Sequence, residues 1–117
     1  MKMTNVIHKD LLKSGRWFEL SLVEQMANIG CDIERAIQWK KNGNLEESKR
    51  AFERALELLD FTKADHKNRG ASLREICRVR EALVDHFVYA NEYKTTDELW
   101  QQYFYDFNYA AALQRGR

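Results

Sequence analysis

Four times along this chain a Ser, Thr or Asn stands three residues before a Glu: Ser21–Glu24 in SLVE, Asn44–Glu47 in NLEE, Ser72–Glu75 in SLRE and Thr95–Glu98 in TTDE. This is the capping-box spacing. The first side chain accepts a hydrogen bond from a free backbone N–H of a starting helix, and the Glu reaches back to the cap residue's own N–H. Each of the four is followed by apolar residues at helical spacing, and no proline interrupts them. The pattern predicts four helices, over about 22–42, 45–63, 73–90 and 96–113. Asn42-Gly43-Asn44 closes the first and caps the second, because glycine takes the left-handed conformation at no steric cost.

Short connections make sequential helices antiparallel neighbours, so the expected fold is an all-α, up-down-up-down four-helix bundle over residues 21–117. Its expected core faces are Leu22, Met26, Ile29, Ile33, Ala36 and Ile37; then Leu45, Phe52, Ala55, Leu56 and Leu59; then Leu73, Ile76, Cys77, Leu83, Val84 and Phe87; and last Leu99, Tyr103, Phe107, Ala110 and Leu113. Residues 1–20 form an additional arm, in which NVIHKDLLKS reads as a short helix and Trp17-Phe18 as a pair that folds over the bundle's end or meets a partner.

With 117 residues, 44% of them hydrophobic and 32% charged, the chain suits one globular domain and is too apolar for a disordered one. A net charge of +1 does not describe a strongly electrostatic nucleic-acid binder, although it leaves room for a local patch. Cys31 and Cys77 form no Cys-x-x-Cys pair and read as buried, reduced thiols. No apolar run is long enough for a membrane span, and the first ten residues lack the apolar core of a signal peptide, so no membrane role and a cytoplasmic location are the expectation. His8, His66 and His86 are dispersed, and neither a metal site nor a cofactor is expected.

Two resemblances attach to particular residues. Residues 32–60, DIERAIQWKKNGNLEESKRAFERALELLD, resemble one tetratricopeptide repeat, with Trp39, Gly43, Leu45, Phe52 and Ala55 in the order of that motif. No second copy follows at the repeat's period, so the likeness reads as convergence of two packed amphipathic helices. The whole chain, WFELSLVEQMANIG and AFERALELLD above all, resembles a group of short prokaryotic helical proteins. It is similar in layout to the four-helix bundles of the HEPN and ribosomal S23-like type. That resemblance implies helical assembly, often dimeric. HEPN ribonucleases carry an Arg, four to six residues, and a His, and Arg80 and His86 in RVREALVDH fit this spacing. By that likeness the pair from two subunits would surround an RNA phosphate, with His86 moving protons and Arg80 balancing charge. Glu81 follows Arg80 where that family usually has a smaller polar residue, and a carboxylate beside the site would repel the RNA phosphate, which counts against activity.

The aromatic run supplies the main functional expectation. WQQYFYDFNY (Trp100–Tyr109) holds six aromatics in ten residues, of which Trp100, Tyr103, Phe104 and Phe107 suffice for the bundle's interior. Tyr105 and Tyr109 fall on a second face, and tyrosine suits interfaces because it buries area while keeping a polar tip. The expected function is therefore a non-enzymatic module acting through protein–protein interaction, self-association included, with Trp100, Tyr105 and Tyr109 at the contact. RNA binding or cleavage through Arg80 and His86 is the alternative. Lys67, Arg69 and Arg74, beside the free N–H groups that start the third helix, are candidate anion ligands, or simply a solvated charged turn. Arg80 and Asp106 each interrupt an apolar stripe thirteen residues from Tyr93, on opposite sides of it. If the third and fourth helices turn about that residue, the two charges lie level, and a structural ion pair between them is expected.

Overall fold

The computed structural model describes residues 14–116. A short 3-10 helix, Arg16–Glu19, leads into four α-helices: α1 (Leu22–Lys41), α2 (Leu45–Ala64), α3 (Ala71–Phe87) and α4 (Asp97–Gln114). There is no strand among the described residues, and no helix among them is long and apolar enough to cross a membrane. The expected four-helix layout is the one observed. α1 packs along both α2 and α4, and α3 closes on α2. The helix expected in NVIHKDLLKS lies, Ser14 apart, outside the described residues, as does His8.

Local chemistry sets the helix starts. Ser21 forms the full capping box: its hydroxyl accepts from the Glu24 N–H, and the Glu24 carboxylate accepts from the Ser21 N–H. Asn44 caps α2 through the Glu47 N–H. The other two starts differ from expectation. α3 begins at Ala71 behind Gly70, whose φ of 59° only glycine adopts freely, so Ser72 is not a cap. α4 is capped by Thr96 through the Leu99 N–H, one residue past the expected Thr95. Thr95 is occupied elsewhere, as described below.

The core runs through Trp17, Met26, Ile29, Ile33, Ile37, Phe52, Leu59, Ile76, Leu83, Trp100 and Phe104. Gly30 explains how α4 seats. A Cβ there would stand 2.7 Å from the Phe104 Cβ, so only a glycine lets α4 come this close to α1. The contact turns Trp100, Phe104 and Ala111 inward, which shifts the buried stripe from the expected one and leaves Leu99 and Leu113 exposed. Cys31 and Cys77, expected to be buried, are both exposed free thiols. Each lies one position beyond a tightly buried neighbour, Gly30 and Ile76, and is carried out of the core by the helical turn.

A buried polar network joins the 3-10 segment to the bundle. The Trp17 indole donates to the Thr62 hydroxyl at 3.1 Å, and Thr62 donates to the Leu58 carbonyl. The Gln25 amide donates to the Trp17 carbonyl and to Asp65 Oδ2, while Asn68 donates to Gln25 Oε1 and to the Thr62 carbonyl. Lys67 closes the set, donating to Asp65 and to the Phe18 carbonyl. No buried side-chain nitrogen or oxygen among the described residues is left without a partner. Trp17 thus folds back onto the bundle, as expected of it, and joins the core with Phe18 packed beside it.

Candidate interaction surfaces

Arg80 and His86 are held by different partners on different elements. Arg80 Nε donates to Asp60 Oδ1 at 2.8 Å, with Nη2 3.5 Å from Oδ2, so its guanidinium is matched by a carboxylate of α2. His86 is 7% exposed at its side chain and engaged through both ring nitrogens: Nε2 lies 2.9 Å from Asp97 Oδ1, and Nδ1 lies 3.0 Å from Thr95 Oγ1. A carboxylate only accepts, so Nε2 donates to Asp97, while the Thr95 hydroxyl at Nδ1 also donates to Asn91 Oδ1. Lys40 also donates to Asp97, at 2.9 Å, and stands over the Phe87 ring. Burial pushes the Asp97 carboxyl up, but hydrogen bonds from His86 and Lys40 outweigh it and hold the group below its ordinary value. This cluster fastens the ends of α1 and α3 to the start of α4.

The expected Arg80–Asp106 ion pair is replaced by Arg80–Asp60. Asp106 is exposed and accepts from Gln102 one turn earlier in its own helix. The packing explains the error. A symmetric turn about Tyr93 would set Glu75 opposite Ala111, yet the hydroxyl of Tyr103 donates to Glu75 Oε2 at 2.7 Å. α3 closes on α2 rather than lying along α4, so Arg80 meets Asp60 of α2 and Asp106 stays apart from it. Burial and the bond to Glu75 both push the Tyr103 hydroxyl's pKa up.

The three candidate anion ligands are not brought together. Lys67 is neutralised by Asp65 within the buried network, and Arg69 donates to the His66 carbonyl. All three are exposed, with Arg74 in the first turn of α3. No group of His, Cys, Asp and Glu among the described residues is placed to hold a metal ion.

The interface residues divide. Trp100, expected at a contact, is 4% exposed, because its indole donates to Thr95 Oγ1 and its rings pack on Tyr103 and Phe104. Tyr105 and Tyr109 are 61% and 59% exposed and, with Leu113, form a stripe at four-residue spacing. That stripe lies about 180° around α4 from Trp100, Phe104, Phe107 and Ala111, by the helical rotation per residue. Beside it, α1 and α4 leave two shallow depressions, about 360 and 230 Å³, that share Ala27, Cys31 and Asn108 in their linings; Tyr105 borders the larger.

A second surface was not singled out from the sequence. The turn between α3 and α4 is built by Asp85, whose carboxylate oxygens accept from the Glu92 and Tyr93 N–H groups at 2.9 and 3.0 Å. Asn91, at a φ of 55°, exchanges hydrogen bonds with Thr95: its amide donates to the Thr95 carbonyl and its Oδ1 accepts from the Thr95 N–H. This ordered turn presents Tyr89 and Tyr93 to solvent beside a groove along α3. The available signal was an Asp followed six residues later by an Asn, both types that satisfy turn backbones.

No protein-family model matches this chain, and neither a curated protein nor a solved structure matches it.

Proposed function

We propose that this chain is a non-catalytic helical module that works by binding protein, a second copy of itself included, through the outer face of α4. The observation that carries the reading is the exposed Tyr105–Tyr109–Leu113 stripe on the side of α4 that the fold does not use. Two features favour a second copy as occupant. The outer face from Gln102 to Leu113 holds a single charged residue, Asp106, so two such faces meet with little like-charge repulsion. The projecting stripe also lies next to the depressions along α1, and a two-fold interface needs a knob and a hollow side by side on one surface. The second reading is RNA binding or cleavage in the manner of the HEPN-type bundles that the Arg80–His86 spacing resembles. Against cleavage stands the chemistry of the pair: His86 has both nitrogens engaged, and Arg80 is neutralised by Asp60.

Dilution of a ¹⁵N-labelled sample tests the assignment. Amide shifts that move with concentration are expected on α4 from 102 to 113 and on the facing rim of α1. Concentration-dependent shifts confined to other elements would overturn it.

A further inference from the structure

The last turn of α3 itself holds no lysine or arginine to meet its carbonyl pole. The one basic side chain of its last turn is His86, and that ring is turned to Asp97 and Thr95. A helix C-terminus carries roughly half a negative charge. The turn that Asp85 holds in place returns against this end, and together they form a groove of about 760 Å³. That falls within the roughly 300–1,000 Å³ of small-ligand sites. Val84 contributes an apolar wall, and Tyr89 and Tyr93, 73% and 58% exposed, contribute two rings. Glu81, Asp85 and Glu92 bring three carboxylates to the same lining. Two cations, Lys63 and Arg80, also line it, but Arg80 is already matched by Asp60.

Rings, carboxylates and a carbonyl pole around one hollow select for positive charge. We propose that this groove binds an arginine side chain from a segment of a partner protein. A guanidinium lies flat on a tyrosine face while its N–H groups reach carboxylates at the edge, which a phosphate or a carboxylate does not do here. An anionic ligand such as an RNA backbone would meet three carboxylates and the negative end of α3. The groove lies on α3 and its following turn, apart from the outer face of α4, so this inference stands whether or not the chain self-associates.

The test is a titration of the ¹⁵N-labelled full chain with acetyl-(Gly-Arg)3-amide, and in parallel with acetyl-(Gly-Glu)3-amide, at a salt concentration of about 0.15 M, where long-range surface charge is screened. The arginine peptide is expected to shift the amides from 84 to 93, and the glutamate peptide to leave them in place. Tyr89→Ala and Tyr93→Ala are each expected to weaken the arginine peptide about two- to fivefold, the range for an exposed cation–ring contact. Glu81→Gln combined with Glu92→Gln is expected to weaken it by at least about threefold. All four side chains are exposed, and an unchanged circular dichroism spectrum checks that each variant is folded. Shifts scattered over the acidic surface, equal response to the glutamate peptide, or a Tyr89→Ala/Tyr93→Ala double variant that binds like the original chain would each overturn the assignment.

Discussion

Two regions of this bundle treat polar and aromatic side chains in opposite ways. At the junction of the 3-10 segment, α1 and the end of α2, the groups Gln25, Thr62, Asp65 and Asn68 are buried and bonded to one another, with Trp17 closed over them. Across the molecule's other elements, Tyr89, Tyr93, Tyr105 and Tyr109 are exposed. The first region uses polar atoms to fix how the chain packs, since a buried group left unbonded is costly. The second leaves out rings that the packing does not need. Stability is therefore sensitive to the first region and nearly blind to the second, and binding should show the reverse.

Mutations separate the two, beginning with the largest effect. Trp17→Ala removes a fully buried ring and its bond to Thr62, and a loss of about 3–5 kcal/mol is expected in denaturant unfolding. A loss no greater than that of a surface tyrosine would dissolve the contrast. Asp65→Ala strands the Gln25 amide and the Lys67 ammonium, with an expected loss of about 2–3 kcal/mol by the same measurement. Gly30→Val drives a side chain into Phe104, and a loss of about 1–3 kcal/mol is expected from overpacking. It sharpens the comparison, because the inner face of α4 is then as sensitive as the network while its outer face is not.

Acid titration is a gentler probe of the same contrast. Burial pushes Asp65 up, but hydrogen bonds from Lys67 and Gln25 and the Lys67 charge more than offset it, so Asp65, like Asp97, titrates below the ordinary 3.8 in the folded chain. Unfolding returns both groups to that value and takes up protons. Their stabilisation is thus complete above about pH 5 and is lost as the pH falls through 3.8 toward the folded values. Melting temperature should fall across that window, and fall less in Asp65→Asn. An Asp65→Asn profile as steep as the original would remove Asp65 from the account.

The helices were legible because their start signals are local: Ser21 and Asn44 need only their own next turn to act as caps. The fourth was read one residue early because Thr95, and not Thr96, stands three residues before a Glu. The tertiary contacts of Thr95, with His86 and Trp100, occupy its side chain instead. The surplus of aromatics in α4 was visible, and so was the outward face of Tyr105 and Tyr109. Trp100 and Phe104 were legible as interior rings, but the glycine in another helix that lets Phe104 close, and the bond from Trp100 to Thr95, were not. Arg80 was recognisable as a charge within an apolar stripe. Its partner was not, because α3 closes on α2, where Asp60 stands, rather than lying along α4. The buried network joins residues forty or more positions apart, and no short-range pattern announces it.

The central claim is that the outer face of α4 is for binding and not for folding. Sedimentation equilibrium on the full chain and on the Tyr105→Ser/Tyr109→Ser double variant tests it most directly, with unfolding measured on the same samples. The account predicts a dimeric or larger mass at micromolar concentration for the original chain and a monomeric mass for the variant. It also predicts unfolding free energies that, once extrapolated to equal monomer concentration, agree within about 0.5 kcal/mol, as for surface substitutions. A monomeric original chain would contradict the claim, as would a variant that keeps its oligomeric mass.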